Sequence, residues 1–108
     1  LGEEVNTADL AASFQKAVVD VLVEHTILAA KNLGVKKVCM AGGVAANTSL
    51  RKNMQTACEK EGIKLYYPSN ILCTDNAAMI AGLGYYEYMA GKRSKTDLNA
   101  VPNLKMGE

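Results

Sequence analysis

Three features of this 108-residue chain predict an α/β fold with parallel strands. Helical and strand patterns alternate in the order helix, strand, helix, strand, helix. The two strand patterns are short apolar runs ending at glycine or proline, the form taken by buried parallel strands. Each run leads through a turn into a helix, the arrangement of right-handed crossovers between parallel strands.

The first helix is expected over residues 7–33, capped by Asn6 or Thr7, with Asp9 suiting the dipole in the first turn. Leu10, Phe14, Ala17, Val18, Val21, Leu22 and Leu28 recur at helical spacing, and Val19, Val23 and Ile27 widen the stripe. So wide a stripe predicts cover on more than one side. Gly34 terminates the helix. In "VKKVCMAGG", Val38–Ala41 reads as the first strand. A second helix follows from Thr48 to Glu61, with Leu50, Met54, Ala57 and Cys58 on one face and Gly62 at its end. "IKLYYP" gives the second strand, Ile63–Tyr67, stopped by Pro68. After a polar loop over 69–74, a third helix is expected from Asp75 to Met89, ended by Gly91. Gly82 and Gly84 within it suggest the close approach of another element, and 92–108 reads as a polar tail.

Two strands make a poor sheet, since parallel strands need cover on both faces. The whole of 1–108, which lacks an initiator Met, is therefore expected to be one subdomain of a larger protein. Its open sheet edges invite pairing with another copy.

A net charge of +1 excludes a global field drawing in nucleic acid or an anionic membrane. No apolar run approaches the roughly 20 residues that span a bilayer, so no membrane partner is expected. The three cysteines, Cys39, Cys58 and Cys73, are odd in number and form no CxxC pair. They argue against a secreted disulfide framework and for a reducing, cytoplasmic location. Cys39 and Cys58 read as small core residues, and Cys73 borders a polar turn.

Ligands of open parallel sheets bind beyond the carboxyl ends of the strands. Two stretches lie there, "AGGVAAN" and "LCTDNAAM", each entering a helix N-terminus, where free N–H groups favour anions. Gly42 and Gly43 serve either a tight strand-to-helix turn or a backbone that lets a ligand come close. Spacing alone leaves both open. The pattern is neither GxGxxG nor a loop ending in GK[ST], which favours a nucleoside or ribose contact over a Walker-type site. Asn47 is an N-cap, a donor-and-acceptor ligand contact, or both. Asp75 is either the cap of the third helix, with Thr74, or one oxygen donor to a metal. The lone His25 in "VEHTI" lacks a second histidine for HExxH and reads as a partly buried structural residue. The tyrosines Tyr66, Tyr67, Tyr85, Tyr86 and Tyr88 read as packing residues, and Lys92, Arg93 and Lys95 as a solvated basic cluster.

Taken together, "DLAASFQKAVVDVLVEHT", "KKVCMAGGVAANTSLR" and "LCTDNAAMIAGLGYYEY" closely resemble the carboxyl-terminal part of the tRNA threonylcarbamoyladenosine transferase family (TsaD/Gcp/YgjD), from about Asp9 to Val101. The resemblance implies an actin-like ATPase (ribonuclease H-like) fold of two lobes, of which this chain is the last subdomain. It implies transfer of a threonylcarbamoyl group from threonylcarbamoyl-adenylate to the adenosine beside the tRNA anticodon, releasing AMP. The family's adenylate-binding asparagine falls on Asn47, with Gly42 and Gly43 against the nucleoside. Its metal-binding aspartate falls on Asp75, and the metal, iron or zinc, is otherwise held by an HxxxH motif that this chain lacks. The resemblance further implies partners in tRNA and the other subunits of a tRNA-modifying complex. Alone, the 108 residues are expected to be inactive and without bound metal; no general base can be named.

Three other readings compete. An O-sialoglycoprotein endopeptidase, the family's older name, needs a metal, an activated water and a base, and HExxH is absent. Another actin-fold protein, such as a sugar kinase, suits "GGVAAN" but not "CTDNAAM". A non-enzymatic assembly lobe would use the long apolar first helix to bind a partner protein.

Overall fold

The structure, a computed structural model, describes residues 6–105. The chain divides into two compact units, Leu1–Asp75 and Asn76–Glu108.

In the first unit, α1 (Thr7–Asn32), β1 (Lys37–Cys39), α2 (Thr48–Lys60) and β2 (Lys64–Tyr66) follow one another, with 3-10 turns at Gly43–Ala46 and Asn70–Leu72. The strands pair in parallel, Lys37 opposite Lys64, Val38 opposite Leu65 and Cys39 opposite Tyr66. Asn6 caps α1, its side chain accepting from the Ala8 N–H at 2.9 Å. Helices α1 and α2 end alike. Past α1, the Gly34 N–H donates to Lys31 O and the Val35 N–H to Ala30 O. Past α2, the Gly62 N–H donates to Glu59 O and the Ile63 N–H to Cys58 O. This doubly bonded ending satisfies the last carbonyls and needs a left-handed residue, which Gly34 supplies at φ +66°. The chain thereby turns directly into each strand.

Periodicity places the core. Leu50, Met54 and Cys58 lie on one face of α2 and are buried with Val19 and Ala30 of α1 and with Ile63. Val23, Ile27, Val38, Met40 and Leu65 pack against this cluster. Each such Val, Leu or Met contributes about 1.5–3 kcal/mol when fully buried. The strands alternate. Val38 and Leu65 face the helices half-buried, while Lys37, Cys39, Lys64 and Tyr66 are exposed.

Three expectations are corrected here. The strands are Lys37–Cys39 and Lys64–Tyr66 rather than Val38–Ala41 and Ile63–Tyr67: β1 begins one residue earlier, and both stop short where the chain turns toward the glycines and Pro68. Cys39 is exposed, not a core residue, because the strand's alternation turns it away from α2. His25 is exposed, not partly buried, because the buried side of α1 runs through Val19, Val23, Ile27 and Ala30. Much of the wide α1 stripe stays uncovered among the described residues; Phe14 is 71% and Leu28 53% exposed.

In the second unit, α3 spans Ala77–Met89. Its cap is Asn76, whose side chain accepts from the Met79 N–H at 3.1 Å. The expected start at Asp75 is therefore corrected by two residues: the cap must be extended, and Asn76 holds φ −152°, ψ 153°. Apolar side chains surround α3 and are exposed, including Met79, Ile80, Leu83 and Met89. Among the described residues, a Cβ added at Gly82 or Gly84 meets nothing within 4 Å. The tyrosines are not core residues: Tyr66, Tyr67, Tyr85, Tyr86 and Tyr88 are all exposed among the described residues, Tyr85 and Tyr86 meeting edge to face. Three of them carry a cation over the ring, Arg51 on Tyr67, Lys64 on Tyr66 and Arg93 on Tyr88. Lys92 pairs with Glu87 at 3.0 Å. Residues 92–105 contain turns and no helix or strand, and the last three residues of the expected tail lie outside the described residues.

Candidate functional site

The turn after β1 is built on Gly42. At φ 86° and ψ 170° its backbone occupies a region open to little but glycine. This reverses the chain so that Gly43–Ala46 can form one 3-10 turn, closed by the Ala45 N–H on Gly42 O at 3.0 Å. Gly43 is different: it has no positive φ, and a Cβ there would sit 3.9 Å from Thr74 Cγ2, an ordinary contact. That neighbour matters more than the glycine. It brings "AGGVAAN" and "CTD" side by side within the first unit.

Asn47 ends the turn and starts α2. Its Oδ1 accepts from the Leu50 N–H at 2.9 Å, so the capping role is real. Its Nδ2 donates to Gln15 Oε1 of α1 at 3.0 Å. An amide carries two acceptor and two donor positions. The cap takes one acceptor position and Gln15 one donor position. One of each remains for a ligand, so capping and binding are compatible here.

Both amides line a cavity of about 260 Å³ between α1 and the turn. Its other walls are apolar: Phe14, Val18, Val19, Leu22, Val44 and Leu50. An apolar hollow with a few convergent polar groups is the usual form of a small-molecule site. A larger and more open depression, about 390 Å³, lies at the strand ends between Cys39, Tyr66 and Pro68. It contains none of the predicted site residues, so the smaller cavity is the better candidate.

Asp75 is exposed at the end of the first unit, one residue beyond Thr74. It does not cap α3, since Asn76 does. Among the described residues, no group of three His, Cys, Asp or Glu side chains could hold a metal ion. One exposed carboxylate is a poor site for a hard or borderline cation, which takes four or more donors. The donors present in this chain therefore do not by themselves fit a metal.

Sequence reading missed two residues. Gln15 sits in the apolar stripe of α1 and orients the Asn47 amide. Arg51, half-buried one helical turn after Asn47, donates through Nε to Ala45 O and through Nη2 to Pro68 O and Cys73 Sγ, both at 2.9 Å. The available signals were a polar residue at a core-facing period and an arginine in the first turn of a helix, where the dipole disfavours a cation.

The parallel strands, their helices and the turn at a strand's carboxyl end fit a segment of an actin-like, ribonuclease H-like α/β fold. Comparison with known proteins narrows this. The family "TsaD: tRNA N6-adenosine threonylcarbamoyltransferase" matches residues 2–82, and the chain belongs to this family. It is 58% identical over 107 residues to the tRNA N6-adenosine threonylcarbamoyltransferase of Clostridium botulinum (strain 657 / Type Ba4), covering 99% of this chain and 32% of that protein. To the protein of the same name from Symbiobacterium thermophilum it is 61% identical over 100 residues, covering 93% of this chain and 29% of that protein. The chain thus spans about a third of the length of these relatives.

Proposed function

We propose that this chain forms one wall of the active cleft of a transferase that modifies tRNA. The reaction moves a threonylcarbamoyl group from threonylcarbamoyl-adenylate to the amino group of the adenosine beside the anticodon and releases AMP. The observation that carries this reading is the meeting of the two family motifs, with Gly43 beside Thr74 and the Asn47 amide at an apolar cavity.

In this reading Asn47 and the Gly42–Gly43 turn hold the adenylate. The cavity is smaller than the ~300–1,000 Å³ of drug-sized pockets, so it takes a base or a sugar rather than a whole nucleotide. The amide of Asn47 then offers one donor and one acceptor to that group's edge. Burial of the base against Val44 and Leu50 would fix the adenylate's position, leaving the acyl end free to meet the acceptor amine in an aligned approach. Asp75 is proposed as one ligand of a divalent metal, iron or zinc, whose remaining ligands lie outside this chain. The further partners proposed are the other subunits of a tRNA-modifying complex, and the proposed location is the cytoplasm. The 108 residues alone are proposed to be inactive, because a single wall cannot align donor and acceptor.

The test is transfer by the full-length protein carrying Asn47→Ala or Asp75→Ala, each checked for an intact fold. Loss of threonylcarbamoyl transfer in both is expected. Full activity in both, or transfer by the isolated 108-residue chain, overturns the reading.

A further inference from the structure

We infer that Arg51 is a positioning residue that fixes the spacing between the adenylate-side turn and the loop carrying Asp75; this rests on the function proposed above. The guanidinium sits where the two stretches converge. Its Nε donates to Ala45 O, inside the 3-10 turn. Its Nη2 donates to Pro68 O and to Cys73 Sγ, at the two ends of the other loop. Its face lies 4.5 Å from the centre of the Tyr67 ring. The Cys73 thiol, itself buried, donates on to Ser69 O at 3.6 Å, which ties the loop to itself beneath the guanidinium.

Two further facts make this a spacing device. Arg51 is joined to Asn47 by the first backbone bond of α2, the Arg51 N–H on Asn47 O at 3.0 Å. One rigid helical turn therefore carries both the amide that faces the cavity and the cation that grips the opposite loop. Second, Arg51 takes no part in the buried cluster; Leu50, Met54 and Cys58 do that for α2. Removing its head group loosens the junction of the loops and leaves the core intact. Lysine does not replace it, because a point charge on a flexible stem cannot reach two loops at once and lie flat on a ring.

The experiment uses the full-length protein with Arg51→Lys and Arg51→Ala, and Tyr67→Leu as a milder variant should Arg51→Ala not fold. Threonylcarbamoyl transfer is measured against adenylate concentration, and alkylation of Cys73 is followed by peptide mass spectrometry on the folded protein. In Arg51→Lys, kcat is expected to fall on the order of 100-fold, the scale of an ångström-sized misplacement, with KM for the adenylate nearly unchanged. Cys73 alkylation is expected to quicken about tenfold as the loop opens more often. A folded Arg51→Lys protein with parental kcat, or one that raises KM alone, overturns the inference. Unchanged Cys73 alkylation does so independently of activity. If the parent protein transfers nothing, the functional reading fails, whereas faster Cys73 alkylation would still uphold the clamp between the loops.

Discussion

Gln15 of α1 accepts a hydrogen bond from Asn47 Nδ2 at 3.0 Å, across 32 residues of sequence. The side chain that caps α2 is thereby also fastened to α1, on the wall of the same cavity. Both ends of the Asn47 amide are held, which fixes which atom faces which way. Gln15→Ala should therefore leave the cap in place, since the bond from the Leu50 N–H is untouched. AMP binding by the full-length protein, measured by calorimetry, should weaken several-fold, in keeping with the loss of about 1 kcal/mol of orientation from one hydrogen bond. Unaltered binding would remove Gln15 from the site.

Asn47→Ala should do more. It deletes a cap, at a cost of about 1 kcal/mol, and also the amide at the cavity. Asn47→Ser should restore the cap without the amide that reaches Gln15. Melting temperatures recovered in Asn47→Ser, with AMP binding still lost, would separate the two roles; joint recovery would mean that only the cap mattered.

The two glycines should part company. Gly42→Ala places a side chain at φ 86°, where strain is about 1–3 kcal/mol, although open space surrounds the position. Gly43→Ala adds only an ordinary contact with Thr74 Cγ2. Chemical denaturation should show a clear loss for the first and almost none for the second. If Gly43→Ala nevertheless loses AMP binding, the backbone there approaches a ligand.

Burial pushes the Cys58 thiol above its ordinary pKa. The folded state thus favours the neutral thiol, and the unfolded chain ionises first as pH rises. The contribution is fully present below the ordinary thiol value of about 8.5 and is lost as pH climbs through the raised one. Urea midpoints of the 108-residue chain should fall as pH rises above about 8.5, and more steeply than those of Cys58→Ala. Parallel slopes would show that Cys58 is not the group responsible.

Met54 is 2% exposed at the centre of the cluster, between α1 and the strands. Met54→Ala should cost about 2–5 kcal/mol, much of what a small core supplies. Circular dichroism should show lost cooperativity on heating. By contrast, Ile80→Ala on α3, where Ile80 is 73% exposed, should change the melt of the isolated chain little.

How much was legible beforehand follows from the range of each interaction. Helix ends were readable because their signals are local: Asn6 before α1, and glycines 34, 62 and 91 after the three helices, act within a few residues. The core face of α2 was readable because helical periodicity is a property of one segment. The site was readable only as two separate stretches, and the cap of α3 was misplaced because Asp75 and Asn76 both suit a cap by composition.

By itself, then, the sequence determined the order of elements, the parallel pairing, the buried stripe of α2 and the family. The first three rest on residue type and near-neighbour spacing, and the family on the resemblance of three long stretches to known members. Only the tertiary structure decided that Cys39 and His25 face outward, that Gln15 holds Asn47, and that Arg51 bridges Ala45, Pro68 and Cys73. The reason is geometric. Burial depends on which side of an element its neighbours occupy, and a bond between residues 15 and 47, or between 51 and 73, exists only once the chain has folded back to bring distant turns together.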